Sequence, residues 1–525
     1  MGPVMTDTGS YSTPSHAIVI GAGLGGLSTA MRLGAKGYRV TVFDRLDRAG
    51  GRGSSITQNG HRFDLGPTIV TMPWVFRQLW ADCGRDFDTD VDLRPVDPFY
   101  KIRWHDGSEI AFGTNDAAMA EQIGRMFPND VAGYQQFLRD GAVRYTFGFE
   151  DLGRRPMHRL MDLVRALPGF IRLRADRSVY AHAATRVRDP RLRMALSFHP
   201  LFIGGDPTNV TSVYILTSHI EKAFGVHYAM GGVQAVADAM VKVVHDQGGT
   251  VRQGVDVDEI TIANGRTTGV KTADGRAIAA DLVVSNADPG HTYDHLLRHH
   301  PKRRWTARRL NRARWSMGLF VWYFGTRGTR ELWPDVGHHT ILNGPRYRGL
   351  LRDIFQRRHL AHDMSIYLHR PSVTDPTVAP DGDDTFYALS PVPNLHGKNA
   401  VDWTAMADQY QRNLADVLNQ HLIPGFQDRV AASMVFTPET FKTRYLSPHG
   451  AGFSLEPRMF QSAWFRPHNI SEEFENLYLV GAGTHPGAGL PSVVTSSEVV
   501  DKIVPPAPCP MNLSFSTPPP KVAAE

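Results

Sequence analysis

Residues 17–20 form an unbroken apolar run of strand length that stops at a cluster of glycines between 21 and 26. Beyond it Leu27, Ala30, Met31 and Leu33 recur at helical spacing up to Gly37, and residues 39–43 return to strand character before Asp44. This pattern predicts one β-α-β unit of about thirty residues. Residues 115–193 read as mostly helical, with arginine-rich amphipathic stretches. Residues 251–260 and 280–285 read as strands, the first preceded by a turn at Gly248-Gly249. The aromatic run at 313–324 suits a buried strand, and 476–480 is a strand entering a second glycine cluster. About fifteen residues at the start are expected to be disordered. From Pro505 the chain holds seven prolines in 21 residues, which predicts a disordered tail. No internal repeat is visible.

Length turns these elements into a domain problem: 525 residues suggest about three domain-sized units. Cys83 and Cys509 are the two cysteines, too few for a disulfide scaffold, a four-cysteine zinc module or an iron–sulfur cluster. A net charge of +5 against 57 basic and 52 acidic residues argues against bulk nucleic-acid binding. No stretch reaches the roughly 18–20 apolar residues that span a bilayer. Residues 1–15 are polar and lack a signal-peptide pattern, so a cytoplasmic protein is expected, and three Asn-x-Ser/Thr matches, Asn209-Val210-Thr211 among them, are then chance.

Three segments carry chemistry. In Gly21-Ala22-Gly23-Leu24-Gly25-Gly26, Gly21 allows a tight turn, Gly23 lets backbone approach a pyrophosphate, and Gly26 lets helix pack on strand. The helix start then offers free N–H groups to phosphate. Asp44, at the end of the second strand, can accept from an adenosine ribose hydroxyl, and its charge disfavours the extra phosphate of NADP. The second segment is Arg48-Ala49-Gly50-Gly51-Arg52-Gly53-Ser54-Ser55, with Asp64-Leu65-Gly66-Pro67 after it. The first part resembles the Arg-x-Gly-Gly-Arg stretch of amine-oxidase-like flavoproteins. That resemblance implies FAD, with Gly50 and Gly51 passing beneath it, Arg52 meeting its pyrophosphate, and Pro67 near the flavin. In the third segment a strand enters Gly481-Ala482-Gly483-Thr484-His485-Pro486-Gly487-Ala488-Gly489-Leu490-Pro491 and a helix whose first turn holds Pro491. Its dipole would stabilise negative charge on reduced flavin. Many FAD proteins have Asp where this chain has Ala482, which shifts that work to backbone N–H groups.

Together these segments resemble the bacterial-type phytoene desaturases, most closely the purple-bacterial ones, over about residues 16–503. Further matches are residues 60–68, 198–205 and 228–232; Ser492 departs where glycine is commoner. The resemblance implies an α/β fold: a Rossmann-type FAD-binding domain of amine-oxidase type, a discontinuous α+β substrate domain and a helical, membrane-facing lid. The expected partition is FAD-binding 16–105, 226–295 and 456–504, substrate domain or lid 106–225 and 296–455, and tail 505–525. Flavin contacts are carried over to Arg45, Val255, Gly483, Thr484, Pro491 and Val493 as well. The implied activity is successive desaturation of phytoene, a C40 carotene, to neurosporene or lycopene, with electrons passing to oxygen or a quinone.

Such a substrate has no polar handle, so a long apolar tunnel must position it. Candidate walls are residues 315–324, Phe147, Phe149 and residues 198–203, each of which also suits ordinary core. Asp151 and Arg154 are the candidate acid–base or charge-stabilising pair, with a surface salt bridge as the plainer reading. His338-His339 and His299-His300 lack a carboxylate–histidine spacing, so no metal site is expected. Eight Lys/Arg among residues 298–314, and a second basic zone at 154–193 interleaved with Leu160, Val164, Leu167 and Ile171, fit an anionic membrane surface. Peripheral association with the inner membrane is therefore expected. The rival readings are a later-carotene desaturase, a carotene isomerase, an amine oxidase and a non-catalytic isoprenoid-binding protein.

Overall fold

A computed structural model describes residues 14–511. The strand His16–Ile20 is buried along its whole length, because both of its faces are covered. Among the described residues it is the centre of a five-stranded parallel sheet in the order Leu477–Leu479, Leu282–Ser285, His16–Ile20, Arg39–Phe43, Thr250–Arg252. The helix Leu24–Ala35 makes the first crossover. Its Leu27, Ala30 and Met31 share one core with Val236 and Met240 of the helix Val233–Asp246 and Val494 of the helix Leu490–Asp501. Three stretches far apart in sequence thus build one nucleotide-binding layer.

The expected strand at 251–260 divides. Thr250–Arg252 ends the parallel sheet, whereas Val257–Ala263 joins a separate antiparallel sheet with Arg266–Thr272 and Ala277–Ala279. Gly254, at φ +69°, turns the chain between them.

A second, seven-stranded mixed sheet has the order Val430–Phe436, Gly318–Thr326, Asp384–Val392, Ile366–His369, His339–Asn343, Tyr100–Trp104, Glu109–Phe112. All nine residues of Gly318–Thr326 are buried, and strand alternation gives its two faces different neighbours. Phe320, Trp322 and Phe324 pack beneath the helix Trp403–His421, while Leu319, Val321 and Tyr323 face the core shared with Phe198 and Tyr367. Tyr100–Trp104 pairs in parallel with His339–Asn343. The first expected segment, 16–105, therefore gives its last strand to the second sheet.

Residues 116–224 form a helical layer that includes Val131–Tyr145 and Leu160–Arg172. No helix among the described residues is long and apolar enough to cross a membrane. The expected tail begins as packed chain: Ala507 donates to the Lys36 carbonyl (3.0 Å), Met511 to that of Gly37 (2.9 Å), and Ser15 to that of Cys509 (2.9 Å). The rest of the expected tail, residues 512–525, and residues 1–13 of the expected disordered start lie outside the described residues.

Candidate active site

The first glycine cluster is shaped by its neighbours. Gly21 sits at φ +96°, and a Cβ on Gly26 would stand 2.0 Å from the Gly21 carbonyl oxygen, so a side chain there would drive the helix off the strand. On Gly23 and Gly25 a Cβ would meet the amide of Asn286 instead. The helix begins at Gly23 with no side-chain cap among the described residues, which leaves its first N–H groups open. Asp44 accepts from the Ala22 N–H at 2.6 Å and from the Leu46 N–H at 2.8 Å. Burial raises its carboxyl above the ordinary range, against the pull of those two N–H groups.

Beside this cradle lies a charge cluster in which Arg466 is buried and Arg52 and Asp288 are partly buried. Arg52 donates from Nη2 to Ser447 Oγ, its Cζ lies 5.5 Å from the Tyr445 ring centre, and its Nε has no partner among the described residues. Arg466 donates from Nη2 to the carbonyls of Leu455 (3.2 Å) and Ala482 (2.9 Å), and its Nε is likewise unpartnered. Asp288, bonded to the Gly290 N–H at 2.8 Å, is the acid between them electrostatically. Burial lowers both guanidinium groups and raises the Asp288 carboxyl, while each arginine is favoured by Asp288. Arg52, partly buried and lining the cavity with a spare N–H, is the candidate contact for a bound anion, with Arg466 packed behind the turn at Ala482.

The cradle, Arg52, Asp288 and Tyr445 line one cavity of about 420 Å³. One end is lined by Gly21, Gly23, Asp44, Gly50, Gly51 and Gly489. The other is lined by Phe198, Leu201, Phe202, Met317, Leu319, Ile341, Tyr367, Tyr387 and Phe441, almost wholly apolar and aromatic. The helix Leu490–Asp501 points its N-terminus at the cavity, and Gly489 before it offers no side-chain cap.

Of the sequence-derived residues, Leu24, Gly25, Arg45, Arg52, Pro67, Val255, Pro491 and Val493 line this cavity as well. Ala22 and Gly26 shape it from behind. Gly483 is pressed against Pro289, where a Cβ would stand 2.2 Å from Cδ, and Thr484 turns its hydroxyl to the Gly481 carbonyl at 2.9 Å. Both support the turn rather than line the cavity.

Asp151 and Arg154 are not brought together. Arg154 pairs with Glu498 (3.0 Å) and Glu150 (3.1 Å) and lies 5.0 Å from the Trp74 ring centre. Half-exposed Asp151 pairs with Arg155 at 3.6 Å. Residues three apart on a helix can meet, but here each takes a partner four away, Glu150 for Arg154 and Arg155 for Asp151. Phe147 and Phe149 also leave the wall, for Phe170 and for Trp74 and Tyr145. Asn286, Asp288, Tyr445 and Arg466 were missed. Asn286 and Asp288 follow the strand Leu282–Ser285, and their position after a parallel strand was the available signal.

Fold and site together define a dinucleotide-binding oxidoreductase with an apolar substrate chamber. A model of the flavin containing amine oxidoreductase family matches residues 24–498. A neurosporene-forming phytoene desaturase of Cereibacter sphaeroides is 64% identical over 497 residues, 95% of this chain and 96% of the relative. A lycopene-forming phytoene desaturase of Paracoccus is 42% identical, covering 93% and 97%. The fold is that of an oxidoreductase from Methanosarcina mazei, with a TM-score of 0.64 at 19% identity, covering 93% of this chain and 100% of that one. The chain belongs to the flavin-containing amine oxidoreductases, and FAD is the cofactor its residues fit. The glycine backbone leaves room for a pyrophosphate, and Arg52, which lines the cavity with an unpartnered Nε, supplies a donor for an anion.

Proposed function

We propose that the chain desaturates phytoene, with neurosporene as its end product. The observation that carries this reading is the continuity of the FAD cradle with an apolar, aromatic chamber. The relative at 64% identity is neurosporene-forming and the one at 42% lycopene-forming, which favours the shorter series. FAD, when bound, accepts the two electrons of each dehydrogenation. Arg52 would meet its pyrophosphate, and the uncapped helix at Gly489 would favour negative charge on the reduced flavin. Phe202, Leu319, Ile341 and Tyr387 would align the carotene and exclude water. Oxygen or a quinone takes the electrons onward in this reading.

A membrane-soluble substrate calls for a docking face. Leu160, Met161, Val164, Leu167 and Ile171 are between 48% and 66% exposed on the helix Leu160–Arg172, an outward apolar stripe flanked by exposed Arg159, Arg165 and Arg172. Phe460, 73% exposed, adds to it from the neighbouring segment. This face supports peripheral attachment to the inner membrane. Part of the 298–314 basic zone is engaged elsewhere: Arg298 with Asp258 and Arg304 with Glu472.

Expression in cells that accumulate phytoene tests the activity. A coloured extract whose main pigment is neurosporene is expected. Unchanged phytoene, with folded FAD-bound protein present, would exclude phytoene as substrate, and lycopene as main product would exclude the end-product assignment.

A further inference from the structure

Behind the chamber wall, the second sheet brings together three histidines that the sequence separates. His339 and His369 are direct cross-strand partners on His339–Asn343 and Ile366–His369, and His338 precedes the first strand. All three are at least 95% buried. One ligand nitrogen from each lies within 4.8 Å of the other two. His338 Nε2 and His369 Nε2 are 3.0 Å apart. His339 Nε2 is buried and has no partner among the described residues.

The opposite edges of two rings are held by hydroxyls. His338 Nδ1 meets Thr374 Oγ1 at 2.6 Å, and His339 Nδ1 meets the Tyr367 hydroxyl at 2.7 Å. A metal-ligating imidazole is arranged in this way: one nitrogen fixed by an outer partner, the other turned to the ion.

Asp375, buried, attracts positive charge at His338. Arg62 pairs with Asp375 at 3.2 Å and also acts on Asp64. Arg370, next to His369, is already matched by Asp384 at 2.8 Å.

We infer that His338, His339 and His369 form a three-histidine site for a divalent transition-metal ion of the zinc class. Two ligands of a tetrahedral zinc stand about 3.3 Å apart, so the 3.0 Å nitrogen pair is near that spacing. The His339 nitrogen has to swing inward by up to about 1.5 Å to complete the set. Three neutral nitrogens leave a fourth position open. Softer, thiolate-seeking ions are disfavoured by the donor set. The site would steady Tyr367, whose hydroxyl bridges His339 and Thr68 (2.6 Å) at the chamber wall.

The test uses the full-length, FAD-bound protein, stripped with a chelator, equilibrated with Zn²⁺ and desalted. Elemental mass spectrometry should find about one zinc per chain, as a single built site requires. His339→Gln and His369→Gln should each bind Zn²⁺ roughly 100-fold more weakly, and Thr374→Val, which keeps every ligand, roughly 10-fold more weakly. His396→Gln, outside the cluster, should match the parent protein. Zinc below about a tenth of an equivalent in the parent protein would overturn the site. Equal zinc binding in the parent and in the histidine variants would do the same. Should those variants not fold, unchanged affinity in Thr374→Val overturns the proposed ligand arrangement.

Discussion

Arg466 donates from Nη2 to the carbonyl of Ala482 at 2.9 Å, and so sets a buried cation beneath the turn where this chain lacks an aspartate. That guanidinium holds the turn from behind the cavity wall. Arg52, on the cavity side, has an Nε without a partner among the described residues.

Arg52→Met should therefore weaken FAD binding by roughly 10–100-fold, the value of a charge-assisted hydrogen bond of about 1.5–3 kcal/mol. Titration of the apoprotein with FAD, followed by flavin fluorescence, reads it. Unchanged affinity would remove Arg52 from the anion site.

Gly23 and Gly26 should separate binding from folding. A Cβ at Gly23 meets a side-chain amide, whereas at Gly26 it meets backbone at 2.0 Å. Gly23→Val should give a folded protein without flavin. Gly26→Ala should lower stability, by about 1–3 kcal/mol for overpacking at a helix–strand contact. Circular dichroism melts and flavin content distinguish the two.

Replacement of Leu160, Val164 and Ile171 together by Asp should abolish sedimentation with anionic vesicles. Each apolar side chain contributes about 1.5–3 kcal/mol when buried, so more than about 100-fold is at stake. Unaltered vesicle binding would move the docking face away from this helix.

Glu456 imposes a pH dependence. Burial pushes its carboxyl up to about 7 from 4.5, so between those values the folded chain holds a proton that the unfolded chain releases. The resulting stability is fully present below pH 4.5 and lost as pH rises through 7. Melting temperatures of the parent should carry a falling component across that window, and Glu456→Gln should lack it.

The nucleotide-binding unit was legible because its determinants are local. Strand, glycines, helix and acid follow one another within thirty residues, and backbone sterics at Gly21 and Gly26 permit little else. The outward apolar stripe of Leu160–Arg172 was equally visible, since helical periodicity announces a face. Asp151 and Arg154, for which a surface salt bridge was the plainer expectation, each take another partner, Arg155 for Asp151 and Glu498 for Arg154, the latter brought in by the tertiary fold.

What tertiary structure alone decided is whatever depends on non-local partners. Residues 313–324 were readable as a buried strand, but only the helix Trp403–His421 determines that Phe320 and Trp322 are core while Leu319 lines the chamber. Asp288 and Arg466 look ordinary in the chain until folding removes water from both and leaves their charges to answer each other. His369 stands thirty residues beyond His339 in sequence and directly opposite it in the sheet. Strand pairing, driven by burial of apolar faces on both sides, makes such neighbours, and no spacing along the chain encodes them.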